Sequence, residues 1–403
     1  MYRKLHITHI SLQTLAIAIV CGLILASCGK DDLPDKPNRV AERAVVVYMV
    51  STNTLSGNDS EDISEMLQAA RAGGLKDGRL LIYHQRYNSV PMLKEITAEG
   101  IDTLKKYDNS VSSLSIARMK GVLADVKAEI PAKEYGIILW SHGNGWLRAG
   151  QGHTGETPIS SRAFGEEKGI DNTTRYMDVE SLAAALRGQD LAFAYFDCCY
   201  MGGIEVLYDL KDVVPRLVAS VAEIPAAGMP YHLTLPHIMA SGSADLEGSA
   251  KKTYEYYNSM IYNTDRTCTM SVYDMSNVSA LSDALKELYS WHPKTHKDFT
   301  PQKFMIENIC YHFDLRHYVE NLYLPDETDE VKLNAYESSK QAVFDAIEKV
   351  VTYQEATSYL WNKLKIEHHC GISTQFLKSK ESAYTRGYNE TAWWQDVANN
   401  LFD

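Results

Sequence analysis

Two stretches decide the fold. Tyr135-Gly136-Ile137-Ile138-Leu139-Trp140 runs straight into Ser141-His142-Gly143-Asn144-Gly145-Trp146, and Leu191-Ala192-Phe193-Ala194-Tyr195-Phe196 runs into Asp197-Cys198-Cys199-Tyr200-Met201-Gly202-Gly203. Each is a short apolar run ending abruptly in glycine and polar residues, as expected of a strand buried on both faces. Outward from them, apolar β-branched runs alternate with amphipathic segments. Strands are expected at 44–50, 80–87 and 217–221, and helices at 63–72, 114–130, 179–186 and 203–210. Such alternation predicts a mainly parallel sheet covered by helices on both faces. Beyond Gly242 the pattern turns helical, at 246–261, 278–291 and 333–353, with further strands at 268–273 and 371–376. This is expected to be an appended, mostly helical C-terminal region packed on the same sheet. Between Trp146 and Asp178 no period is visible among many Gly, Ser, Thr and charged residues, which predicts a long exposed loop.

In open α/β sheets reactive groups gather beyond the carboxyl ends of the strands. One such end here carries a histidine and another a cysteine pair. A thiolate nucleophile needs a histidine to take and return a proton and amides to receive the oxyanion. His142 and a cysteine of the 198/199 pair supply the first two. Gly143 permits close backbone approach, so its amide is a candidate oxyanion donor with that of Cys199. A helix starting near Gly202 would favour a thiolate just before it. Strand geometry does not choose between Cys198 and Cys199, because adjacent residues point to opposite faces. No Gly-x-Ser-x-Gly elbow sits at a strand end, which excludes a serine hydrolase of that type.

Ser-His-Gly-Asn-Gly-Trp and Asp-Cys-Cys-Tyr-Met-Gly-Gly-Ile-Glu resemble the two active-site motifs of clostripain-like cysteine peptidases, relatives of the caspase, legumain and gingipain group. The resemblance implies a caspase-like three-layer α/β/α sandwich. It places Cys198 at a small-residue position and Cys199 as nucleophile, with Met201, Gly202 and Glu205 in register and His142 as its partner. Val45 to Leu55 is similar to the family's first strand and loop, and Trp393-Trp394 to its aromatic ending. The resemblance also implies a protein or peptide substrate cut after Arg or Lys, with Asp197 in the pocket. Ala226 and Ala227 stand where a glycine and a second acidic residue are usual, and Glu223 is the compensating candidate. Family members are often matured between the motifs, which points to Arg162, and after it Arg148 or Lys168. The bland alternative is a non-catalytic, surface-anchored binding lipoprotein that keeps the caspase-like fold.

The N-terminus reads as export machinery. Arg3 and Lys4 precede an apolar run from Leu12 to Ala26, suited to a signal-peptide core and short for a membrane span. Leu25-Ala26-Ser27-Cys28 resembles the bacterial lipobox, implying a signal peptide at 1–27, a lipidated Cys28 and a polar tether at 28–42. The catalytic domain is then expected at 43–275 and the C-terminal region at 276–403. The expected location is the cell envelope, on the outer membrane through the lipid anchor, with its orientation left open. The net charge of -12 over 403 residues, with no basic cluster, argues against a nucleic-acid partner. The cysteines show neither disulfide nor metal spacing, no metal is expected at His368-His369-Cys370, and no cofactor is expected. Calcium dependence occurs in the resembled family, yet no loop here carries a ligand ladder.

Overall fold

A computed structural model describes residues 40–148, 164–307 and 309–402. Its compact unit spans Ala41–Asp403. The central sheet has nine strands among the described residues: β1 (Ala41–Val50), β2 (Arg79–Gln85), β3 (Met92–Ile96), β4 (Ile101–Lys106), β5 (Ala132–Trp140), β8 (Leu191–Asp197), β9 (Arg216–Ala219), β10 (Thr269–Asp274) and β12 (Val351–Ala356). Their order is β12-β10-β9-β8-β5-β1-β2-β3-β4. The middle five, β9 to β2, are mutually parallel, and both flanks are antiparallel.

The alternation of buried side chains explains the three layers. In β1, Ala44, Val46, Tyr48 and Val50 enter one core, and Val45, Val47 and Met49 enter the other. The first core is covered by α2 (Ile116–Glu129), α3 (Val179–Leu186), α4 (Ile204–Leu210), α7 (Val278–Tyr289) and α8 (Glu330–Val350). The second is covered by α1 (Asn58–Arg71), α5 (Tyr231–Ile238) and α6 (Leu246–Asn258). Each fully buried Val or Leu is worth about 1.5–3 kcal/mol. A strand apolar on both faces is therefore held firmly at the middle of the sheet.

The expected central strands and helices are present, with ends shifted by a few residues. Three expectations fail. The stretch 146–178 is not one long loop, because β6 (Phe164–Lys168) and β7 (Thr174–Met177) form an antiparallel hairpin within it. Polar contacts anchor that hairpin rather than apolar alternation: the buried Glu167 carboxylate accepts from the Ser112 hydroxyl and from the amides of Ser113 and Leu114. The strand expected at 371–376 shrinks to β15 (Ser373–Thr374), paired with β11 (Phe313–Asp314) outside the main sheet, since its neighbours turn to satisfy a buried carboxylate. The helix expected through residue 353 stops at Val350. Its end turns into β12, the β-branched run Val350-Val351-Thr352 favouring a strand that completes the edge beside β10. The antiparallel pair β3 and β4 was not legible, because β4 is largely exposed and polar.

Candidate active site

Strands β1, β5 and β8 lie side by side, with Met49 opposite Trp140 and Trp140 opposite Asp197, so three loops leave the sheet at one level. The first two loops are laced together by side chains. Asn53 Nδ2 donates to Val50 O (3.0 Å), Ser141 Oγ (3.2 Å) and Glu166 O (2.9 Å), and Ser141 Oγ donates to Val50 O (2.9 Å). Thr54 Oγ1 then lies 2.8 Å from His142 Nε2. The second and third loops meet at Gly143. A Cβ there would lie 2.5 Å from Cys199 O and 3.2 Å from Cys199 N, so only glycine allows this backbone approach. The two candidate oxyanion amides thus belong to loops in direct contact.

The structure separates the two cysteines that strand geometry left open. Cys198 is 1% exposed and belongs to the core, whereas Cys199 is half-buried and its Sγ accepts from the Ile224 amide at 3.4 Å. Burial pushes the Cys199 thiol up to about 12, with the Ile224 amide pulling down and the charges of Glu223 and Asp197 adding to the rise. The expected help from a helix is weak, because α4 starts at Ile204, five residues beyond the thiol. Resting Cys199 is therefore a neutral thiol at pH 7. Tyr200, the next residue, has φ 62, a left-handed conformation costly for a bulky residue. It is held by its amide on Ala222 O (3.0 Å) and by stacking on His312, whose fully buried ring stays neutral, its pKa lowered to about 3 by burial.

His142, Cys199 and Asp197 line one cavity of about 300 Å³, together with Thr54, Trp140, Glu223, Ile224, Gly228 and Trp361. Asp197 is 5% exposed; its Oδ1 accepts from Met229 N (3.0 Å) and its Oδ2 from Tyr231 OH (2.9 Å). The chain passes tightly over it at Gly228, which has φ +63. Behind it, buried Asp62 accepts from Trp140 Nε1 at 2.6 Å. Burial raises both carboxylates, and the charge of Asp197 raises Asp62 further, so the pair resists carrying two negative charges. Glu223 is half-buried and pushed up by burial, with Glu307 and Trp361 as its neighbours. It lines the cavity with Asp197 but has a separate electrostatic environment. Ala226 and Ala227 are both exposed.

Of the remaining sequence-derived sites, Cys28 and Arg162 lie outside the described residues. Arg148 pairs with Glu180 (2.8 Å) and Glu390 (3.6 Å), and Lys168 ends β6. His368, His369 and Cys370 border a separate cleft of about 460 Å³, remote from His142 and Cys199 in its lining. His317 stacks on His368 there at 3.6 Å, and no group of three or more His, Cys, Asp or Glu among the described residues is arranged to hold a metal. The described cysteines 198, 199, 268, 310 and 370 are all free thiols. Among the described residues no helix is long and apolar enough to cross a membrane. Sequence reasoning missed Thr54, Asp62, Ile224, Tyr231 and Trp361. Only Thr54 gave a signal, as a polar residue just past the carboxyl end of a buried strand.

The sequence model of the Clostripain family matches residues 47–401. No curated protein matches. Among solved structures, a secreted C11 cysteine protease from Bacteroides thetaiotaomicron, "iotapain", superposes with a TM-score of 0.73 at 23% identity, over 89% of this chain and 99% of that one. An inactive zymogen C11 protease from Parabacteroides distasonis gives 0.71 at 25% identity, with the same coverage of 89% and 99%. A secreted C11 protease from Bacteroides thetaiotaomicron in complex with an irreversible peptide inhibitor gives 0.68 at 24%, over 88% and 99%. The caspase-like α/β fold is common to all of them.

Proposed function

The chain belongs to the clostripain family of cysteine peptidases, and from that premise we propose that it is an endopeptidase acting through Cys199 and His142 and cutting after Arg or Lys. The observation that carries this reading is the convergence of both residues and Asp197 on one cavity, with Gly143 pressed against the backbone of Cys199.

Because burial holds the thiol protonated, proton transfer to His142 accompanies substrate engagement. Cys199 Sγ bonds to the scissile carbonyl carbon, and the oxyanion is received by the amides of Gly143 and Cys199. The C–N bond then breaks as His142 returns its proton to the leaving amine. Water attacks the resulting thioester, giving up a proton to His142, and the carboxylate product leaves with the thiol restored. Thr54 holds the imidazole in place. With the proton of the coupled pair held on Asp62, Asp197 carries the negative charge and pairs with the guanidinium or ammonium of the residue before the cut. Glu223 contributes further negative charge at the same cavity. No cofactor or metal enters these steps, and EDTA is expected to leave the rate unchanged.

The relative described as an inactive zymogen makes maturation a question for this chain too, and cleavage after Arg162 is the proposed activating cut. Residues 1–27 are proposed as signal peptide, Cys28 as the lipid-bearing residue and 28–42 as tether, ahead of a catalytic domain at 43–275 and its packed C-terminal region at 276–403. That puts the enzyme on the outer membrane through its anchor; fatty-acid labelling abolished by Cys28→Ser is the expected outcome. The decisive test is the soluble chain from residue 29 incubated with fluorogenic peptides ending in Arg, Lys, Ala or Asp, beside Cys199→Ala. Turnover after Arg or Lys with a two-chain band on a denaturing gel, both lost in the variant, is expected. Intact wild type that turns over every basic peptide would remove Arg162 from the mechanism. Silence on all four substrates would point to a binding protein on a caspase-like fold.

A further inference from the structure

Strands β13 (Tyr359–Leu360) and β14 (Leu364–Lys365) form a small hairpin whose turn is closed by Lys363 N donating to Leu360 O at 2.9 Å. Both central residues of that turn, Trp361 and Asn362, have φ 53. A turn needing two left-handed residues is best served by asparagine and glycine, and asparagine duly fills the second place. Tryptophan in the first place is locally the wrong residue and carries a conformational cost. Such a violation marks a position kept for another purpose.

The surroundings indicate that purpose. Trp361 packs against the buried cluster of Val221, Ala222 and Phe304, which lies immediately before the Glu223–Ile224 segment touching the Cys199 thiol. Trp361 also lines the Cys199 cavity. Its buried Nε1 faces the Glu223 carboxylate, an interaction that opposes the rise burial gives that group. An indole backed by a buried cluster and lining the nucleophile's cavity offers a large apolar surface to a substrate side chain.

We propose that Trp361 is a specificity-determining residue that forms a second side-chain subsite, taking a large apolar side chain of the substrate residue immediately preceding the one at the cut. The proposal rests on the peptidase reading above. With the cut residue in the Asp197 pocket and its carbonyl at Cys199, the segment 223–228 runs back from that pocket, past the thiol, towards Trp361. An extended substrate following it brings its preceding residue beside the indole. The indole ring then covers that side chain.

The test is a set of fluorogenic tetrapeptides with the cut residue fixed at whichever basic residue the wild type prefers and the preceding residue varied from glycine through alanine to leucine and phenylalanine. Trp361→Ala is expected to lower kcat/KM about 10- to 100-fold for leucine and phenylalanine but less than about threefold for glycine, as loss of an apolar pocket should. Trp361→Phe is expected to keep the apolar preference with a uniform loss of a few fold. Trp361→Gly relieves the turn but loses the packing on Val221, Ala222 and Phe304, so its melting temperature read beside its rate on the glycine peptide separates loss of subsite from loss of fold. Equal losses across the series, or an unchanged preference, would overturn the subsite while leaving the peptidase reading intact. Failure of the wild type to cleave any peptide would overturn both.

Discussion

The cavity has two walls of different origin. One is made by the ends of β1, β5 and β8, where Thr54, His142, Asp197 and Cys199 emerge from strands buried on both faces. The other is made by Glu223 to Gly228 and by Trp361, delivered by a tight turn of a two-residue-stranded hairpin far along the chain. The first wall is framed by a sheet whose register admits no slip, since a shift of one residue would exchange its two cores. The second hangs on a strained turn and a few hydrogen bonds. On the proposed reading the rigid wall carries the acyl-transfer groups together with Asp197, and the second wall carries the subsite proposed for the preceding residue.

That contrast breaks most sharply if the rigid wall proves dispensable. Cys199→Ala is expected to remove at least about 10⁴-fold of turnover, read by active-site labelling and peptide hydrolysis, with the melting temperature unchanged. Asp197→Asn is expected to lower kcat/KM for Arg and Lys peptides by about 10²- to 10³-fold and leave neutral peptides nearly untouched. Loss of both classes alike would make Asp197 a clamp on Met229 and Tyr231 instead of a pocket. Gly143→Ala is expected to cost about 10- to 100-fold in kcat with little change in KM, because its methyl would collide with Cys199 O and part the oxyanion amides. The smallest effect belongs to Asp62→Asn, which keeps an acceptor for Trp140 Nε1. Wild-type Asp62, its pKa raised by burial, holds more protons folded than unfolded above the ordinary carboxylate range, so its contribution to stability falls as pH rises into the alkaline range. Thermal melts should show the variant gaining on the wild type from pH 5 to pH 9, by about 2–4 °C for each kcal/mol relieved. A constant difference across pH would show that Asp62 is not protonated in the native state.

The two walls were also unequally legible. Apolar runs ending in Ser-His-Gly and Asp-Cys-Cys expose the central strands and the candidate pair directly, because burial on both faces leaves no polar residue to blur the period. The choice of Cys199 over Cys198 came from resemblance and agrees with their different burial, which no local pattern encodes. Trp361, Tyr231 and Asp62 carried no signal, since each reaches the cavity through tertiary placement. The hairpin at Phe164–Met177 was hidden because a buried Glu167 anchors it, and glutamate in sequence reads as surface.

Glu205, the second residue of the helix that follows the nucleophile loop, is 2% exposed, and its Oε1 accepts from Thr374 Oγ1 (3.0 Å), the Gln375 amide (2.9 Å) and Tyr388 OH (3.0 Å). Every one of those donors lies within the last thirty residues of the chain. Without them the same carboxylate keeps water as its partner, and the burial that seats the helix behind the thiol loop is incomplete. The last thirty residues therefore act as the keystone of the nucleophile loop: laid last, they bear on the one charge set beneath it.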